Sequence, residues 1–257
     1  MVEAVGAGVT HLKEGDRVFC GGIGGVFAEA NRFKAAGMTR VPDTMSFEKA
    51  AVFAVNYQTA WYALTDRGRA KAGETLLVLG AAGGTGYAAI QVGRHLGMHV
   101  IASASTPEKR ALAKAGGAHA TVVTGAQDWR EQVAAANGGR PIDVVFDPVG
   151  GDATEPAFRN LGYDGRHLVI GFTAGIAALR TNLPLLKSSS LIGVQMRDHA
   201  LKRPAEAEAM RRAVMELAAQ GAFSPAIAER RPISDHVAAM YAAFSGEAAG
   251  RVVLTMD

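Results

Sequence analysis

The chain has 257 residues, 49% hydrophobic and 20% charged, a composition typical of a folded globular protein with one large or two smaller domains rather than of a disordered chain. Its formal net charge is only +3 and no cluster of Lys or Arg stands out, so no nucleic-acid partner is expected. The single cysteine excludes an internal disulfide framework, and no apolar run approaches the roughly 18 residues of a membrane span, so we expect a cytoplasmic protein without a membrane partner.

Short strands and frequent turns are predicted for the first 45 residues. The sequence indicates strands over residues 1–10, 17–20 and 26–32. A flexible loop is expected at Gly21, Gly22, Gly24 and Gly25, and a turn at Pro42 and Asp43. These elements predict a small all-β unit that is too small to close a barrel of its own.

Ser46 marks the change from strands to helices. Helix formers follow this serine, so its hydroxyl is expected to cap the next helix. Two buried helices are predicted, over residues 50–54 and 57–65, with a break near Asn56. A charged loop over residues 67–74 then leads into an apolar strand.

A strand, a glycine-rich turn and a helix follow one another over residues 76–96. The strand is predicted at 76–79 and the helix at 87–96, and the turn between them reads Ala-Ala-Gly-Gly-Thr-Gly. This order is typical of a dinucleotide site, where glycines let the backbone approach a pyrophosphate and the helix N-terminus faces its charge. Ala81 replaces the first glycine of G-x-G-x-x-G, so an ordinary turn of another α/β fold stays an alternative. The backbone N–H groups expected to bind the pyrophosphate are those of Gly83, Gly84, Thr85 and Gly86.

Strands and helices alternate regularly after this turn. The six predicted strands are 76–79, 100–103, 120–123, 143–147, 166–170 and 191–194. Helices are predicted between and after them at 87–96, 107–115, 128–136, 153–161, 204–220 and 234–244, before a last strand at 251–255. The alternation predicts an α/β fold with a doubly wound parallel sheet of the Rossmann type.

The end of the second strand of this sheet indicates which dinucleotide binds. An NAD site usually has an acidic residue there, which contacts the ribose hydroxyls. Here residues 102–105 carry no carboxylate, and Lys109 and Arg110 follow in the next helix. A neutral strand end beside cations suits a 2′-phosphate, so NADPH is favoured over NADH. The alternative is that both cations are ordinary solvated helix charges.

Six separate segments carry a resemblance to a known family. They are Val2–Thr10, Glu14–Val18, Ala81–Gly86, Phe146–Gly151, Asn182–Lys187 and Gly250–Leu254. In this order they resemble the medium-chain dehydrogenase/reductase superfamily, and within it the zinc-free NADPH:quinone oxidoreductase (zeta-crystallin-like) branch.

The resemblance implies two domains, a GroES-like catalytic β-barrel and a Rossmann domain. Residues 1–45 would be the tail of a partial barrel, 46–222 the NADPH-binding domain, and 223–257 a return to the catalytic domain. Family members carry further barrel strands before the segment that resembles Val2–Thr10. The expectation is therefore an N-terminally shortened chain, through a misassigned start, a truncation or a natural short form, with one wall of the substrate cleft missing.

Several site residues follow from the resemblance alone. Ser105 and Lys109 match residues that bind the 2′-phosphate, Thr59 matches a threonine near the nicotinamide, and Gly171 and Phe172 match a segment lining its ring. Thr59 could instead bond its own helix backbone, and Phe172 could be a core aromatic. Relatives often have a tyrosine against the adenosine where this chain has Gly125. The resemblance also implies a homodimer joined edge to edge through the strand at 191–194.

No metal site is expected. One cysteine cannot build the four-cysteine lobe of zinc-dependent relatives, and Val55 stands where a catalytic zinc ligand would align. Reduction of an electron-poor quinone or α,β-unsaturated carbonyl by hydride needs no Lewis acid, with positioning as the main contribution. Tyr57 or Tyr62 could donate a proton, but both are also explained as packing aromatics, so no catalytic residue is assigned. Two alternatives stay open, a non-catalytic NADPH-binding module and a metal-independent dehydrogenase of another substrate class.

Overall fold

The computed structural model describes residues 1–20 and 25–256. The predicted glycine loop therefore lies outside the described residues except for Gly25. The strands are β1 (Val18–Phe19), β2 (Thr39–Arg40), β3 (Thr75–Val78), β4 (His99–Ala104), β5 (Ala120–Val123), β6 (Ile142–Asp147), β7 (Leu161–Val169), β8 (Ser190–Gly193), β9 (Ile227–Pro232) and β10 (Arg251–Thr255). The α-helices are α1 (Phe47–Tyr62), α2 (Gly84–His95), α3 (Pro107–Ala115), α4 (Trp129–Ala136), α5 (Thr154–Arg159), α6 (Asn182–Lys187), α7 (Met196–Lys202), α8 (Pro204–Ala219) and α9 (His236–Phe244).

The chain divides into two compact units. One consists of Met1–Val55 and Met215–Asp257, and the other of Asn56–Val214. Helices α1 and α8 each contain one of these boundaries. The domain limits predicted after residues 45 and 222 rest on the family resemblance and remain a proposal.

The second unit is built on a six-stranded parallel sheet. Its strand order is β5-β4-β3-β6-β7-β8, with Leu76 of β3 in register with Val100 on one side and Val144 on the other. Numbered within the sheet, this is the order 3-2-1-4-5-6 of doubly wound dinucleotide-binding proteins. The Rossmann prediction is therefore confirmed, and the order of the strands reverses between β3 and β6. Ligands of such sheets bind beyond the carboxyl ends of the strands at this point.

The centre of the sheet is buried because its strands are apolar on both faces. Every residue of β3 is buried, as expected for a strand covered by helices on either side. On one face, Leu77, Ile101 and Val145 pack in a core with Trp129 of α4 and Phe158 of α5. The rigid sheet holds the loops at its carboxyl edge in fixed positions.

Two predicted strands of the first unit are wrong. Residues 1–10 form no strand. The Val2 N–H does donate to the Asp16 carbonyl at 3.0 Å, and the Val2 carbonyl accepts from the Gly15 N–H at 2.9 Å. Residues 26–32 form bends, and Phe27 is 65% exposed. A strand needs a hydrogen-bonded neighbour, and within the described residues these segments have no continuous one.

The described residues of this unit form two pairs of short strands. β1 pairs antiparallel with β2, and β9, which the sequence did not indicate, pairs parallel with β10. They are consistent with the expected partial GroES-like domain.

The helices confirm most of the predicted positions. Ser46 Oγ accepts from the Lys49 N–H at 3.3 Å, so it caps α1 as predicted. The predicted break near Asn56 is wrong, because α1 continues to Tyr62 and then through a π-helical turn at Ala63–Arg67. Helix α2 begins at Gly84, inside the predicted turn, and the short helices α6 and α7 were not predicted. No helix in the described part of the chain is both long and apolar enough to cross a bilayer.

Candidate functional site

The glycine turn after β3 closes tightly on itself. The Gly83 N–H donates to the Gly80 carbonyl at 2.9 Å, and a Cβ at position 86 would lie 2.3 Å from that same oxygen. Only glycine fits at 86 without a backbone shift. Ala81 replaces a glycine without backbone strain, because its φ is not in the left-handed region. Its side chain is buried, and its N–H donates to the Ser103 carbonyl of β4 at 3.2 Å.

Helix α2 begins directly in this turn, with Gly83 as its N-terminal flanking residue. The first amides of a helix have no carbonyl acceptor within the helix and carry a partial positive charge, which makes them donors for an anion. Gly83 is exposed, and Gly84 and Thr85 are half-buried. The structure therefore brings all four predicted pyrophosphate ligands together at the carboxyl end of β3.

Asn56 supports this turn and was not singled out by the sequence. It is buried in α1, and its Oδ1 accepts from the Thr85 hydroxyl at 3.0 Å. The Thr85 side chain is thereby held by α1, while its backbone N–H lies in the first turn of α2. A polar residue within an apolar helix is the available signal in the sequence, but it indicates a buried hydrogen bond here and not a helix break.

The end of β4 presents a serine and two cations. Ser105 is exposed, and Arg110 Nη1 donates to the Ser105 carbonyl at 2.8 Å. Thr106 caps α3, because its Oγ1 accepts from the Lys109 N–H at 3.3 Å. The structure thus places Ser105, Lys109 and Arg110 at the carboxyl edge, next in the sheet to the glycine turn.

Glu108 also lies at the start of α3, and the sequence reasoning did not consider it. Its exposed carboxylate is stabilised by a hydrogen bond from its own backbone N–H and by one with the Thr106 side chain, which hold its pKa below the usual value. This negative charge opposes a phosphate nearby, although salt and water screen it at the surface.

Phe172 follows β7 and is 61% exposed, so the alternative that it is a core aromatic is wrong. Gly171 is half-buried, and its N–H donates to the Asp147 carbonyl at 3.3 Å, which ties this segment to the end of β6. Both residues therefore lie at the carboxyl edge of the sheet. The ring of Phe172 is available to contact a ligand.

The two tyrosines suggested as proton donors differ in their surroundings. Tyr57 is buried, its hydroxyl donates to Gln91 Oε1 at 2.7 Å, and burial raises its pKa well above the usual value, with a smaller contribution from Tyr87. This supports the packing interpretation for Tyr57. Tyr62 stacks on His199 with ring centroids 4.3 Å apart. Thr59 is half-buried on α1 between them.

A buried polar cluster at the ends of β6 and β7 was also missed. Thr154 and His167 each hydrogen-bond to the Asp147 carboxylate at the end of β6. Within residues 1–20 and 25–256, no group of three or more His, Cys, Asp or Glu side chains is arranged to hold a metal ion.

The strand order, the glycine turn and the helix that starts in it define a dinucleotide-binding α/β protein. A sequence model of the zinc-binding dehydrogenases matches residues 84–218, just over half of the chain. The chain therefore belongs to this family, in the quinone oxidoreductase branch of the medium-chain dehydrogenase/reductase superfamily.

Three similar proteins illustrate the relationship. Quinone oxidoreductase-like protein 2 of Bos taurus is 40% identical over 197 residues, which are 76% of this chain and 56% of the relative. A mycobacterial protein solved in complex with NADPH superposes with a TM-score of 0.87 at 28% identity, over 98% of this chain and 79% of that one. The quinone oxidoreductase of Thermus thermophilus, also solved with NADPH, gives 0.84 at 29% identity over 95% and 78%. The chain spans about half the length of the curated relatives it matches.

Proposed function

We propose that this chain binds NADPH at the carboxyl edge of the six-stranded sheet and reduces a quinone or an α,β-unsaturated carbonyl without a metal ion. The observation that carries the proposal is the turn at Gly83–Gly86, which has no room for a Cβ at Gly86 and opens into the N-terminus of α2. Such a turn lets a pyrophosphate approach the backbone closely. The solved relatives with bound NADPH support the choice of cofactor.

The residues of the site divide among the parts of the dinucleotide. The amides of Gly83–Gly86 would bind the pyrophosphate, and Ser105, Lys109 and Arg110 would hold the 2′-phosphate by hydrogen bonds and charge. Thr59 and the Gly171–Phe172 segment would position the nicotinamide. When bound, NADPH supplies the hydride.

The acceptor class follows from the proposed lack of a metal. Val55 and the single cysteine argue against the zinc ligands of metal-dependent relatives. The protein's contribution would then be orientation and exclusion of water, which suffices for an acceptor that is already electron-poor. The names of the quinone oxidoreductase relatives favour this class. The single cysteine also supports our proposal of a cytoplasmic location.

A non-catalytic NADPH-binding module is the second candidate. The observation favouring it is the small extent of strand structure in the first unit, where β1 and β2 have only two residues each. With so little strand structure available to orient an acceptor, the chain would bind NADPH without reducing a substrate.

Binding and turnover separate these functions. Calorimetric titration with NADPH and NADH measures cofactor binding, and absorbance at about 340 nm follows NADPH consumption with a panel of quinones and enones. Micromolar NADPH binding with turnover of at least one acceptor supports the reductase. Binding without turnover of any acceptor would favour the module, and no binding at all would refute both.

A further inference from the structure

Asp147 is the centre of a buried hydrogen-bond cluster at the end of β6. Its Oδ1 accepts from the Val149 and Gly150 N–H groups, each at 2.8 Å. Its Oδ2 accepts from the Thr154 hydroxyl at 2.8 Å and from His167 Nε2 at 2.9 Å. Asp147 and His167 are 1% and 0% exposed, so water does not compete for these bonds.

The protonation of the pair follows from its partners. Burial alone would raise the pKa of Asp147, but the hydrogen bond and charge of His167 and the bonds from Gly150 and Thr154 outweigh burial and lower it. A carboxylate only accepts hydrogen bonds, so the proton of His167 lies on Nε2. His167 Nδ1 is buried and has no hydrogen-bond partner in the described part of the chain. Burying the Asp147 carboxylate is costly unless the groups that donate hydrogen bonds to it are fixed in place.

The cluster fixes two loops to each other. The loop after β6 and the loop after β7 exchange backbone hydrogen bonds, from Ala174 N–H to the Val149 carbonyl and from Gly151 N–H to the Gly175 carbonyl, both at 2.8 Å. A Cβ on Gly150 would lie 2.4 Å from the Gly175 oxygen and 3.0 Å from Cα of Phe172. The backbone at Phe172 therefore rests directly on a loop whose amides are held by Asp147.

We propose that Asp147 and His167 are positioning residues for hydride transfer, which hold the two loops so that Gly171 and Phe172 face the nicotinamide. This inference rests on the proposed NADPH function. Neither side chain touches the cofactor, and both act through the loop at 148–151. His167 orients the carboxylate, and the carboxylate orients the loop amides.

The proposal predicts that the two ends of the dinucleotide respond differently to loss of the pair. Adenosine 2′,5′-bisphosphate carries the 2′-phosphate of NADPH but no nicotinamide, so its binding depends on the end of β4. A defect confined to the loops at 148–151 and 171–175 should weaken NADPH and spare this fragment. A general loss of folding should weaken both ligands together.

The test compares His167→Leu, which removes the donor, with His167→Gln, which offers an amide N–H in its place. For His167→Leu we expect the Kd of NADPH to rise about tenfold, as loss of a charge-assisted hydrogen bond permits, and that of the fragment to change less than about twofold. His167→Gln should recover NADPH binding to within about threefold of wild type. Val122→Ala, at a buried position of β5, is the matched control for lost stability and should change neither Kd. Equal losses for both ligands in His167→Leu, or an unchanged NADPH Kd, would overturn the proposal.

Hydrogen exchange of the unliganded protein provides the second measurement. In Asp147→Ala and His167→Leu, the amides of 148–151 and 171–175 should exchange faster, while those of β5 stay protected. Unchanged exchange in the two loops would refute the positioning role even if ligand binding changed. Failure of the wild type to bind either ligand would instead refute the NADPH function, so the two failures are distinguishable.

Discussion

At the scale of single residues, the site depends on the lack of a side chain at Gly86. Gly86 faces the Gly80 carbonyl group so closely that a Cβ would lie 2.3 Å from its oxygen and 2.9 Å from its carbon. For Gly86→Ala the turn must open, so we expect NADPH binding to weaken by roughly tenfold, equivalent to about 1.4 kcal/mol. Calorimetric titration measures the loss. Gly37→Ala is the control, because its Cβ would meet nothing within 4 Å. Equal affinities for the two variants would contradict the proposed cradle.

We propose that Lys109 determines the choice between the two dinucleotides. A charged hydrogen bond to a phosphate contributes about 1.5–3 kcal/mol, so Lys109→Ala should weaken NADPH by roughly tenfold to a hundredfold. NADH, which lacks the 2′-phosphate, should change less than about twofold. Lys114→Ala, one residue before the end of the same helix, is the matched control. If Lys109→Ala weakened both cofactors equally, the 2′-phosphate assignment would fail.

Asp147 also links stability to pH, independently of any cofactor. Its folded-state pKa lies below the ordinary value of 3.8, so its ionised form is favoured in the folded state. The stabilisation is complete above the unfolded pKa and is lost as the pH falls below about 3.8 through the folded value. Urea unfolding at several pH values should show wild type exceeding Asp147→Asn by a margin that shrinks with acidification. A margin independent of pH down to about 2 would contradict this assignment.

At the scale of elements, the predictions succeeded where the sequence itself determines the structure. The bounds of α3, β5 and β10 are those predicted, since Pro107 and Thr106 start the helix and the two strands are short segments rich in valine and threonine. Elsewhere the structure depends on contacts between residues that are distant in the sequence. Asn56 stays helical because Thr85 satisfies its side chain, and residues 26–32 are not a strand because no described neighbour pairs with them.

The site residues show the same division. The glycine turn could be read from its motif, and the exposed serine from its place after β4. The Asp147–His167 pair could not, because the two residues are 20 positions apart and meet only through the pairing of β6 with β7.

Thr106 couples an element boundary to the site, because its hydroxyl caps α3 by accepting from the Lys109 N–H. Thr106→Val removes this acceptor at nearly constant volume, and we expect a loss of about 1 kcal/mol in the free energy of unfolding. NADPH should bind more weakly as well, because the first turn of α3 carries Lys109. Thr106→Ser keeps the hydroxyl and should restore both quantities. Chemical denaturation and titration measure them, and a Thr106→Val protein as stable as wild type would refute the cap.

At the scale of the whole molecule, β8 is the edge of the six-stranded sheet and pairs with β7 on one side. Leu191 on this strand is 47% exposed, and Leu185 and Leu186 of α6 are still more exposed. An exposed apolar edge strand is a template for pairing with another chain. We therefore propose a homodimer in which two β8 strands join edge to edge.

Leu191→Lys tests this dimer, because a lysine on an edge strand opposes pairing with another chain. Sedimentation velocity should show wild type as a dimer and Leu191→Lys as a monomer at the same micromolar concentration. Phe244→Lys on α9 is the matched control, since it also replaces an exposed apolar side chain with a charge, and it should leave the dimer intact. Because Gly83–Gly86 lie at the carboxyl end of β3, away from this edge, the Leu191→Lys monomer should still bind NADPH. Dissociation by both variants, or by neither, would refute the β8 interface.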